Sequence, residues 1–458
     1  MNVVNQSEWD RALSLFRQAS FAAVLLWLLG NMLYAQAVSP VLSLSGQGAG
    51  DQDDMCIWIH PDDPSLSTVI TSDKDASRVF VYDLSGNVIQ TINTDGSPGG
   101  IDVRYNFMLS GQPVDIVGYN DRDNTEIVIL TVNPSTRQLT QVANFDAGGG
   151  WSELYGFCLY VSPNTDKHYA IGCGKSGQIR QWELVDNGNG TIGGIEKRTW
   201  DNGTQTEGMV ADDETAKLYA ASEADGVYKY DADPTDPTPS GDLIAPTGSN
   251  GLTEDVEGVA IYYAANGEGY LLVSSQGNST FKVYERKEPH DFVTTFSVNG
   301  ASDTDGIDVT NVNLGPAFPN GLFTLHEGST AVLMCDYEDL GLQIDTEYWN
   351  PRNSGVSAIE PEPGLLSQFS LSQNYPNPFN PSTSIRFTLG QSAAVELSVY
   401  DVAGREVSRL ADEFHTAGSY TYTWSAAGAN GAPLPSGIYF AHLRAGAYES
   451  AIKMILAR

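Results

Sequence analysis

The sequence predicts an all-β protein, a six-bladed β-propeller followed by a small C-terminal immunoglobulin-like β-sandwich. Its apolar runs are short, and turns rich in Gly, Asn, Asp and Ser separate them; the 458 residues include 46 glycines and 22 prolines. No long segment has the 3.6-residue periodicity of an amphipathic helix. Two sets of residues recur about every 50 positions, which is typical of a propeller whose blades consist of several short strands.

The first recurring set places one residue directly before an apolar strand. That residue is Glu207 in TEGMVADDE, Glu257 in DVEGVAIYY and Asp305 in SDTDGIDV. With gaps of 45, 56, 52, 50 and 48 residues, the full set is Asp54, Gly99, Tyr155, Glu207, Glu257 and Asp305. Glycine follows most of these positions, as expected where strands crowd together.

The second recurring set lies in the turn that follows, about twenty residues further along each unit. With gaps of 48, 53, 48, 53 and 51 residues, it comprises Lys74, Arg122, Lys175, Glu223, Gln276 and Glu327. Two independent sets with one period predict six similar units. Because the innermost strand of each blade lines the central channel, equivalent positions should form rings at one channel mouth.

The two rings are asymmetric in charge. The basic residues Lys74, Arg122 and Lys175 fall in the first three units, whereas acids dominate the later units. Asp255 and Asp303 lie two residues before ring acids, so on an extended strand they should point the same way. One half of the mouth should therefore bind cations and the other half anions.

Clustered carboxylates favour a hard cation, and calcium, with six to eight oxygen ligands, fits them best. The six histidines follow no zinc-ligand pattern. The alternative is that the acids only serve turn chemistry. Glutamate is uncommon in turns and stands here at strand ends, so the pattern favours several Ca²⁺ ions.

The formal net charge of −33 argues against a nucleic acid or an anionic membrane as partner. A polyanion that is bridged by calcium can still approach such a protein, and basic side chains opposite a metal suit phosphoryl transfer. The chain should therefore hydrolyse a phosphate ester by attack of metal-activated water, without a Ser, Cys or His nucleophile.

The chain resembles the β-propeller phytases, calcium-dependent enzymes that hydrolyse myo-inositol hexakisphosphate (phytate). The resemblance runs from about residue 51 to 339 and is carried by DDMCIWIHP, GIDVRYNF, LYGFCLY, TQTEGMVADDE, DVEGVAIYYAANGEGYLLVSSQGNSTFKVYER and SDTDGIDV. It implies a 3-phytase activity, with a cleavage site and a neighbouring affinity site.

The resemblance also implies roles for individual residues. Lys74, Arg122, Tyr155 and Lys175 match the phosphate-contacting residues of the family and, with Glu207 and Glu257, are the expected catalytic set. The expected calcium ligands are Asp54, Glu207, Glu223, Asp255, Glu257, Asp303 and Asp305. The family pattern is altered at Gly50, Met55, Ser176 and Asn299, which puts one calcium site and the affinity side in question.

The C-terminal part reads as a separate unit. A proline-punctuated linker at 351–366 follows the propeller at 38–350, and alternating strands over 367–458 suit a small β-sandwich. Its NYPNPFNPST segment resembles the C-terminal sorting domain of the type IX secretion system, which implies that secretion machinery as a partner. An immunoglobulin-like accessory or carbohydrate-binding module is the alternative.

The N-terminus predicts export. Arg11 and Arg17 precede the apolar run FAAVLLWLLGNMLYAQA, which ends in small residues, so 1–37 is expected to be a signal peptide. An uncleaved membrane anchor is the alternative. The mature chain should pass through the periplasm to the cell surface or medium, as a monomer. The hairpin CLYVSPNTDKHYAIGC should bring Cys158 and Cys173 close together, so that oxidising export could join them in a disulfide; free buried thiols are the alternative.

Two other functions remain open from the sequence. A calcium-stabilised propeller can bind ligands without catalysis, because fold does not fix function. A lactonase-type hydrolase would need one central metal and little clustering of basic residues. Basic residues retained beside the acids favour the phytase.

Overall fold

The computed structural model describes residues 36–148, 150–342, 352, 370–371, 374, 379, 381–389, 392–402, 404–415, 418–426, 434–446 and 448–456. Two compact units divide the chain, Met1–Ser357 and Ala358–Arg458. Most of the predicted signal peptide and of the predicted linker lies outside the described residues. The exceptions are Gln36, Ala37 and Arg352.

The first unit is a set of antiparallel sheets. Two short N-terminal strands come first, β1 Gln36–Val38 and β2 Leu42–Leu44. The first three sheets are β3 Asp54–Trp58, β4 Thr68–Asp73, β5 Arg78–Asp83 and β6 Val88–Asn93; β7 Pro98–Leu109, β8 Gln112–Asp121, β9 Glu126–Asn133 and β10 Gln138–Asp146; and β11 Leu154–Val161, β12 His168–Gly174, β13 Gln178–Asp186 and β14 Ile192–Asp201. The fourth to sixth sheets are β15 Thr206–Asp212, β16 Lys217–Ser222, β17 Gly226–Asp231 and β18 Asp242–Pro246; β19 Val256–Tyr263, β20 Gly269–Ser275, β21 Thr280–Glu285 and β22 Phe292–Val298; and β23 Ile307–Thr310, β24 Leu322–His326 and β25 Val332–Asp336.

The first strands of these sheets close a ring. Strand β3 contacts β7, and the contacts continue through β11, β15, β19 and β23 back to β3. Strand β2 pairs with β25 and completes the sixth sheet, while β1 adds in parallel to β22. The all-β propeller prediction is confirmed, and six sheets form the ring in the part of the chain that the structure describes. The predicted signal-peptide boundary after Ala37 falls inside β1.

The hydrophobic core lies between neighbouring sheets. One cluster joins the sixth, first and second sheets around Trp58, Phe80 and Val117, and another joins the fifth and sixth around Phe281 and Phe323. Further clusters fill the second-to-third, third-to-fourth and fourth-to-fifth junctions. Burial of these faces is the main stabilising contribution, and it fixes the angular position of each first strand.

Glycine is required where the first strands meet. A Cβ atom on Gly208 would lie 2.0 Å from the carbonyl oxygen of Glu257, and one on Gly258 would lie 2.5 Å from that of Asp305. The main chain also bonds between sheets here, since Gly258 N–H donates to Asp305 O at 3.1 Å. The predicted reason for these glycines is confirmed.

Aspartates inside the channel accept hydrogen bonds from main-chain N–H groups of the next sheet. Asp54 Oδ2 accepts from Ile101 N at 3.0 Å, Asp102 Oδ2 accepts from Leu159 N at 2.9 Å and Asp308 Oδ2 accepts from Ile57 N at 2.7 Å. Unpaired N–H groups along a buried strand need such acceptors. Part of the acidity of the channel is therefore structural.

Helical structure is limited to short 3-10 turns among the described residues. They are Pro64–Leu66, Ala265–Gly267, Gln276–Asn278, Gly315–Ala317 and Tyr337–Leu340. In the described part of the chain, no helix has the length and apolarity needed to cross a membrane.

The predicted Cys158–Cys173 disulfide is wrong in this structure. Both thiols are free and buried. Cys158 pairs with Ile171, and Cys173 pairs with Gly156, so the two cysteines are diagonal neighbours and not opposite each other. Diagonal Cα atoms on paired strands are about 7–8 Å apart, beyond the usual reach of a disulfide.

The second unit is a β-sandwich. One sheet contains β26 Ser370–Leu371, β27 Thr383–Leu389 and β30 Gly418–Trp424, and the other contains β28 Ala393–Asp401, β29 Glu406–His415, β31 Gly437–Ala445 and β32 Tyr448–Leu456. Buried residues such as Phe387, Leu397 and Trp424 form its core. The sandwich prediction is confirmed. Much of NYPNPFNPST lies outside the described residues, but its first residue, Asn374, donates a hydrogen bond to its last, Thr383, at 2.8 Å.

Candidate active site at the channel mouth

The same main-chain hydrogen bond marks the mouth of the channel in five sheets. It runs from the N–H of a second-ring residue to a carbonyl two positions before the first ring, at 2.8–3.2 Å. The pairs are Lys74 to Asp51, Arg122 to Ser97, Lys175 to Glu153, Glu223 to Gln205 and Gln276 to Asp255. The two recurring sets are thus adjacent in space, as the sequence predicted.

This hydrogen bond corrects the register of the first repeat. Counting two residues on from Asp51 gives Asp53, so Asp53 and not Asp54 is the first-ring residue. Asp54 occupies the position that is glycine in the other sheets, and one of its oxygens is used by Ile101 N–H. The sequence-based assignment of Asp54 to the first ring is therefore one residue too late, because two aspartates stand side by side.

β-Bulges direct the ring acids into the mouth. In β15 the register passes from Thr206–Ser222 to Met209–Ala220, so Glu207 and Gly208 together oppose one residue. Strand β19 repeats the pattern around Glu257 and Gly258. Such bulges bend a strand and re-aim its side chains. The acid-Gly pairs in the sequence are the signature of these bulges.

One acidic cluster, the Asp305 cluster, consists of Asp51, Asp305 and His326, whose ligand atoms lie within 4.8 Å of one another. His326 Nε2 is 3.1 Å from Asp51 Oδ1, and Nδ1 is 3.1 Å from Asp305 Oδ2. Although burial opposes it, these carboxylates raise the pKa of His326 to about 10. Lys74 Nζ lies 3.3 Å from Asp51 and 3.8 Å from Asp305, and it also contacts Asp53.

The other acidic cluster, the Glu257 cluster, consists of Glu207, Glu223 and Glu257, again with ligand atoms within 4.8 Å of one another. Tyr155 Oη donates to Glu223 Oε1 at 3.1 Å. Glu257 is buried, and its Oε2 atom has no hydrogen-bond partner among the described residues. Burial, and then the charges of Glu207 and Glu223, raise the pKa of Glu257 well above its ordinary value.

Asp53 links the two clusters electrostatically. It is 3% exposed and lies between Lys74 and Arg122. Burial and the charge of Glu207 raise the pKa of Asp53 to about 7, although Lys74 acts in the opposite direction. Three carboxylates from different sheets, those of Asp53, Glu207 and Asp305, thus share the charge of two basic side chains.

The basic side of the mouth is built around Tyr155. The Arg122 guanidinium carbon lies 4.5 Å from the Tyr155 ring centroid, and Lys175 Nζ lies 4.7 Å from it. Arg122 Nη1 is 3.2 Å from Glu207 Oε1. Glu153 contacts both basic residues; burial alone would raise the pKa of Glu153, but Arg122 and Lys175 lower it.

Other predicted residues lie outside the clusters. Asp255 and Asp303 are exposed at the rim, each with a positive φ. Glu327 accepts a hydrogen bond from Ser329 Oγ at 2.6 Å, and its neighbour His326 takes the place in the Asp305 cluster. Asp54 lines the channel below the mouth.

Sequence reasoning missed Asp51, Asp53, Glu153 and His326. Asp51 and Glu153 stand two residues before the first ring, where the same argument had selected Asp255 and Asp303. His326 was passed over because it follows no zinc-ligand spacing, and only the fold brings it beside Asp51 and Asp305.

Protein-family models match parts of both units of the chain. The phytase family model matches residues 35–332, and the FlgD Ig-like domain model matches residues 379–447. The 3-phytase of Bacillus subtilis (strain 168) is 38% identical over 294 residues, which cover 62% of this chain and 76% of that protein.

Two solved structures show weaker likeness. A luciferin-regenerating enzyme is 11% identical with a TM-score of 0.44, covering 67% of this chain and 97% of its own. The calcium-binding protein regucalcin from Agrobacterium tumefaciens is 11% identical with a TM-score of 0.42, covering 69% of this chain and 100% of its own. Both TM-scores are too low to bear on function.

Proposed function

The chain belongs to the phytase family, and from this we propose that it hydrolyses phosphomonoesters of phytate at the channel mouth in a calcium-dependent reaction. Its function is that of a phytase, a phosphoric monoester hydrolase. The site, the ion and the roles of individual residues are the parts of the proposal that go further.

The observation that carries the proposal is the meeting of both charges at one mouth. Lys74, Arg122 and Lys175 come from three different sheets, yet Arg122 Nη1 lies 3.2 Å from Glu207 of the acidic side. This protein has a net charge of −33, so a negatively charged phosphate ester can approach it only where fixed cations offset the repulsion. Arginine and lysine donors provide them, and charge-assisted hydrogen bonds to phosphate are strong.

The acidic clusters fit a hard divalent cation. Glu207, Glu223 and Glu257 place carboxylate oxygens within 4.8 Å of one another, and Glu257 Oε2 is buried without a hydrogen-bond donor among the described residues. Such an arrangement is unfavourable without a counter-charge. An all-carboxylate set suits calcium, whereas the Asp305 cluster offers two carboxylates and one imidazole.

We assign the following roles to the side chains. Lys74, Arg122 and Lys175 hold the phosphoryl oxygens as negative charge builds up on them, and Tyr155 keeps Arg122 and Lys175 against its ring. Burial and the charge of Glu207 raise the pKa of Tyr155, so its hydroxyl stays protonated and donates to Glu223. Glu207 and Glu257 accept hydrogen bonds from the attacking water. Calcium, when bound, supplies Lewis acidity toward phosphate oxygens and water.

The test is release of inorganic phosphate from phytate, measured with calcium, then with a chelator, then with calcium restored. Calcium-dependent release supports the proposal. A chain that calcium stabilises against heat but that releases no phosphate would be the non-catalytic binding propeller. Release that is unaffected by the chelator would contradict the calcium requirement.

We also propose that the C-terminal sandwich directs export through the periplasm by the type IX machinery. The support is the NYPNPFNPST segment and the compactness of Ala358–Arg458 as a unit of its own. In a bacterium that has this machinery, a chain ending near residue 361 should stay in the periplasm and keep its activity. Appearance of that shorter chain in the medium would contradict the sorting role.

A further inference from the structure

Glu153 is a carboxylate placed between the two basic residues that flank Tyr155. Its Oε1 accepts a hydrogen bond from Arg122 Nε at 2.7 Å, and its Oε2 accepts one from Lys175 Nζ at 3.3 Å. Its main-chain carbonyl also accepts the N–H of Lys175 at 3.2 Å. One residue thus contacts both basic side chains and the backbone of one of them.

These contacts orient the Arg122 guanidinium. Glu153 takes its Nε edge, which leaves Nη1 facing the channel, 3.2 Å from Glu207 and 3.7 Å from Asp53. Without Glu153, the carboxylates that remain near Arg122 among the described residues are Asp53 and Glu207, both on the acidic side. The guanidinium would then turn toward them, away from the position in which it can take a phosphate oxygen.

Glu153 also limits the movement of the Lys175 side chain. Its side chain is 42% exposed, and within the described residues Glu153 is the acid that pairs with it. A lysine side chain with no fixed partner samples many rotamers, and ordering it on substrate binding costs free energy.

We propose that Glu153 is a positioning residue, which holds Arg122 and Lys175 against Tyr155 as a ready-made binding site for a substrate phosphate. The inference rests on the proposed function and deepens it, because it concerns the phosphate-binding half of the same mouth. Glu153 itself does not touch the reacting atoms. It acts by pre-organising the two cations before the phosphate arrives.

Glu153→Gln tests the inference because it keeps the shape and one acceptor but removes the charge. Glu183→Gln is the matched control. Glu183 lies in β13, in the sheet whose first strand, β11, begins directly after Glu153, and it also pairs with two lysines, Lys167 at 2.8 Å and Lys197 at 3.1 Å. We expect Glu153→Gln to raise KM for phytate about tenfold while kcat changes less than about threefold. Competitive inhibition by inorganic phosphate should weaken by a similar factor.

The remaining variants and outcomes decide the matter. Glu153→Asp keeps the charge, so its KM should lie between those of wild type and Glu153→Gln. If Glu153→Gln does not fold, the KM and the phosphate inhibition constant of Glu153→Asp are compared with those of wild type instead. A KM and a phosphate inhibition constant equal to wild type, or equal shifts in Glu153→Gln and Glu183→Gln, would overturn the inference.

Failure of the proposed function is distinguishable from failure of this inference. If the wild type releases no phosphate, the proposed function fails, but calorimetric titration of phytate into calcium-free protein still compares the variants. Weaker binding by Glu153→Gln alone would then uphold the positioning role, and equal binding would remove it.

Discussion

Arg122 and Glu207 form an ion pair that joins the second sheet to the fourth at the channel mouth, with Nη1 3.2 Å from Oε1. The pair couples the basic and acidic halves, because Glu207 also belongs to the Glu257 cluster. Glu207, like Asp53, therefore contributes its charge to both halves.

Replacing Glu207 with Gln should lower phosphate release from phytate about a hundredfold or more, because the shape is kept while a ligand charge is lost. Raising the calcium concentration should recover part of the rate. Glu327→Gln is the control, since Glu327 accepts a hydrogen bond from Ser329 outside both clusters. Initial rates equal to wild type in Glu207→Gln would contradict its role.

Replacing Lys175 with Met should weaken turnover, yet leave the calcium-dependent rise in thermal midpoint intact. Lys175 contacts Glu153 and the Tyr155 ring and neither acidic cluster. Calcium that binds the folded protein raises its thermal midpoint. Measured without substrate, this rise reports on calcium binding alone. Loss of the calcium effect in this variant would show that Lys175 also supports the metal site.

Removing Gln36 and Ala37 should destabilise the propeller. Both pair with β22 in the parallel strand β1, opposite Phe296 and Ser297, and a net backbone hydrogen bond contributes about 1 kcal/mol. A chain that begins at Val38 should therefore melt earlier than one that begins at Gln36. Gln36→Ala in the longer chain is the control because it keeps the backbone. Equal midpoints for the two chains would show that β1 contributes nothing.

His168 should make stability pH-dependent below neutrality. Burial lowers its pKa below the ordinary 6.5, and its Nε2 lies 2.9 Å from Tyr105 O. At this site the unfolded chain then binds more protons than the folded chain, so the contribution of His168 to stability falls as the pH drops through 6.5, by at most about 1.4 kcal/mol per pH unit. We expect His168→Gln to reduce the slope of the free energy of unfolding against pH, measured by urea unfolding between pH 7 and 5. A slope equal to that of wild type would contradict this.

The fold was largely predictable from the sequence because the repeat is encoded twice. Two sets with one period fixed the sheets and their order around the channel, and the glycines after Glu207 and Glu257 marked the crowded strands. The pairing of β1 and β2 with the last two sheets was not predictable, since three-residue strands carry almost no periodic signal. The Cys158–Cys173 disulfide failed because the hairpin turn sets the register: Val161 pairs with His168, which places Cys158 opposite Ile171 and Cys173 opposite Gly156.

The placement of side chains at the channel mouth was predictable where charge and spacing coincide, as at Lys74, Arg122, Glu207, Glu257 and Asp305. It was not predictable where a side chain acts through a contact between distant sheets. His326 reaches Asp51 across 275 positions of the sequence, and no local pattern marks it. Adjacent aspartates are a further limit, because spacing alone does not say which of two neighbours faces the mouth.

Asp53 and Asp54 provide the sharpest test of the corrected register. Asp53 is buried between Lys74 and Arg122, so Asp53→Asn should lower phosphate release about tenfold or more, by removing the charge on which both cations depend. Asp54→Asn keeps an acceptor for Ile101 N–H and should leave the rate within about twofold of wild type. Rates measured across a calcium titration separate the two. The opposite result would be loss of the calcium response in Asp54→Asn but not in Asp53→Asn. The calcium role that the family resemblance implies for Asp54 would then stand. The ring register that we derive from the main-chain hydrogen bonds would then not describe the active site.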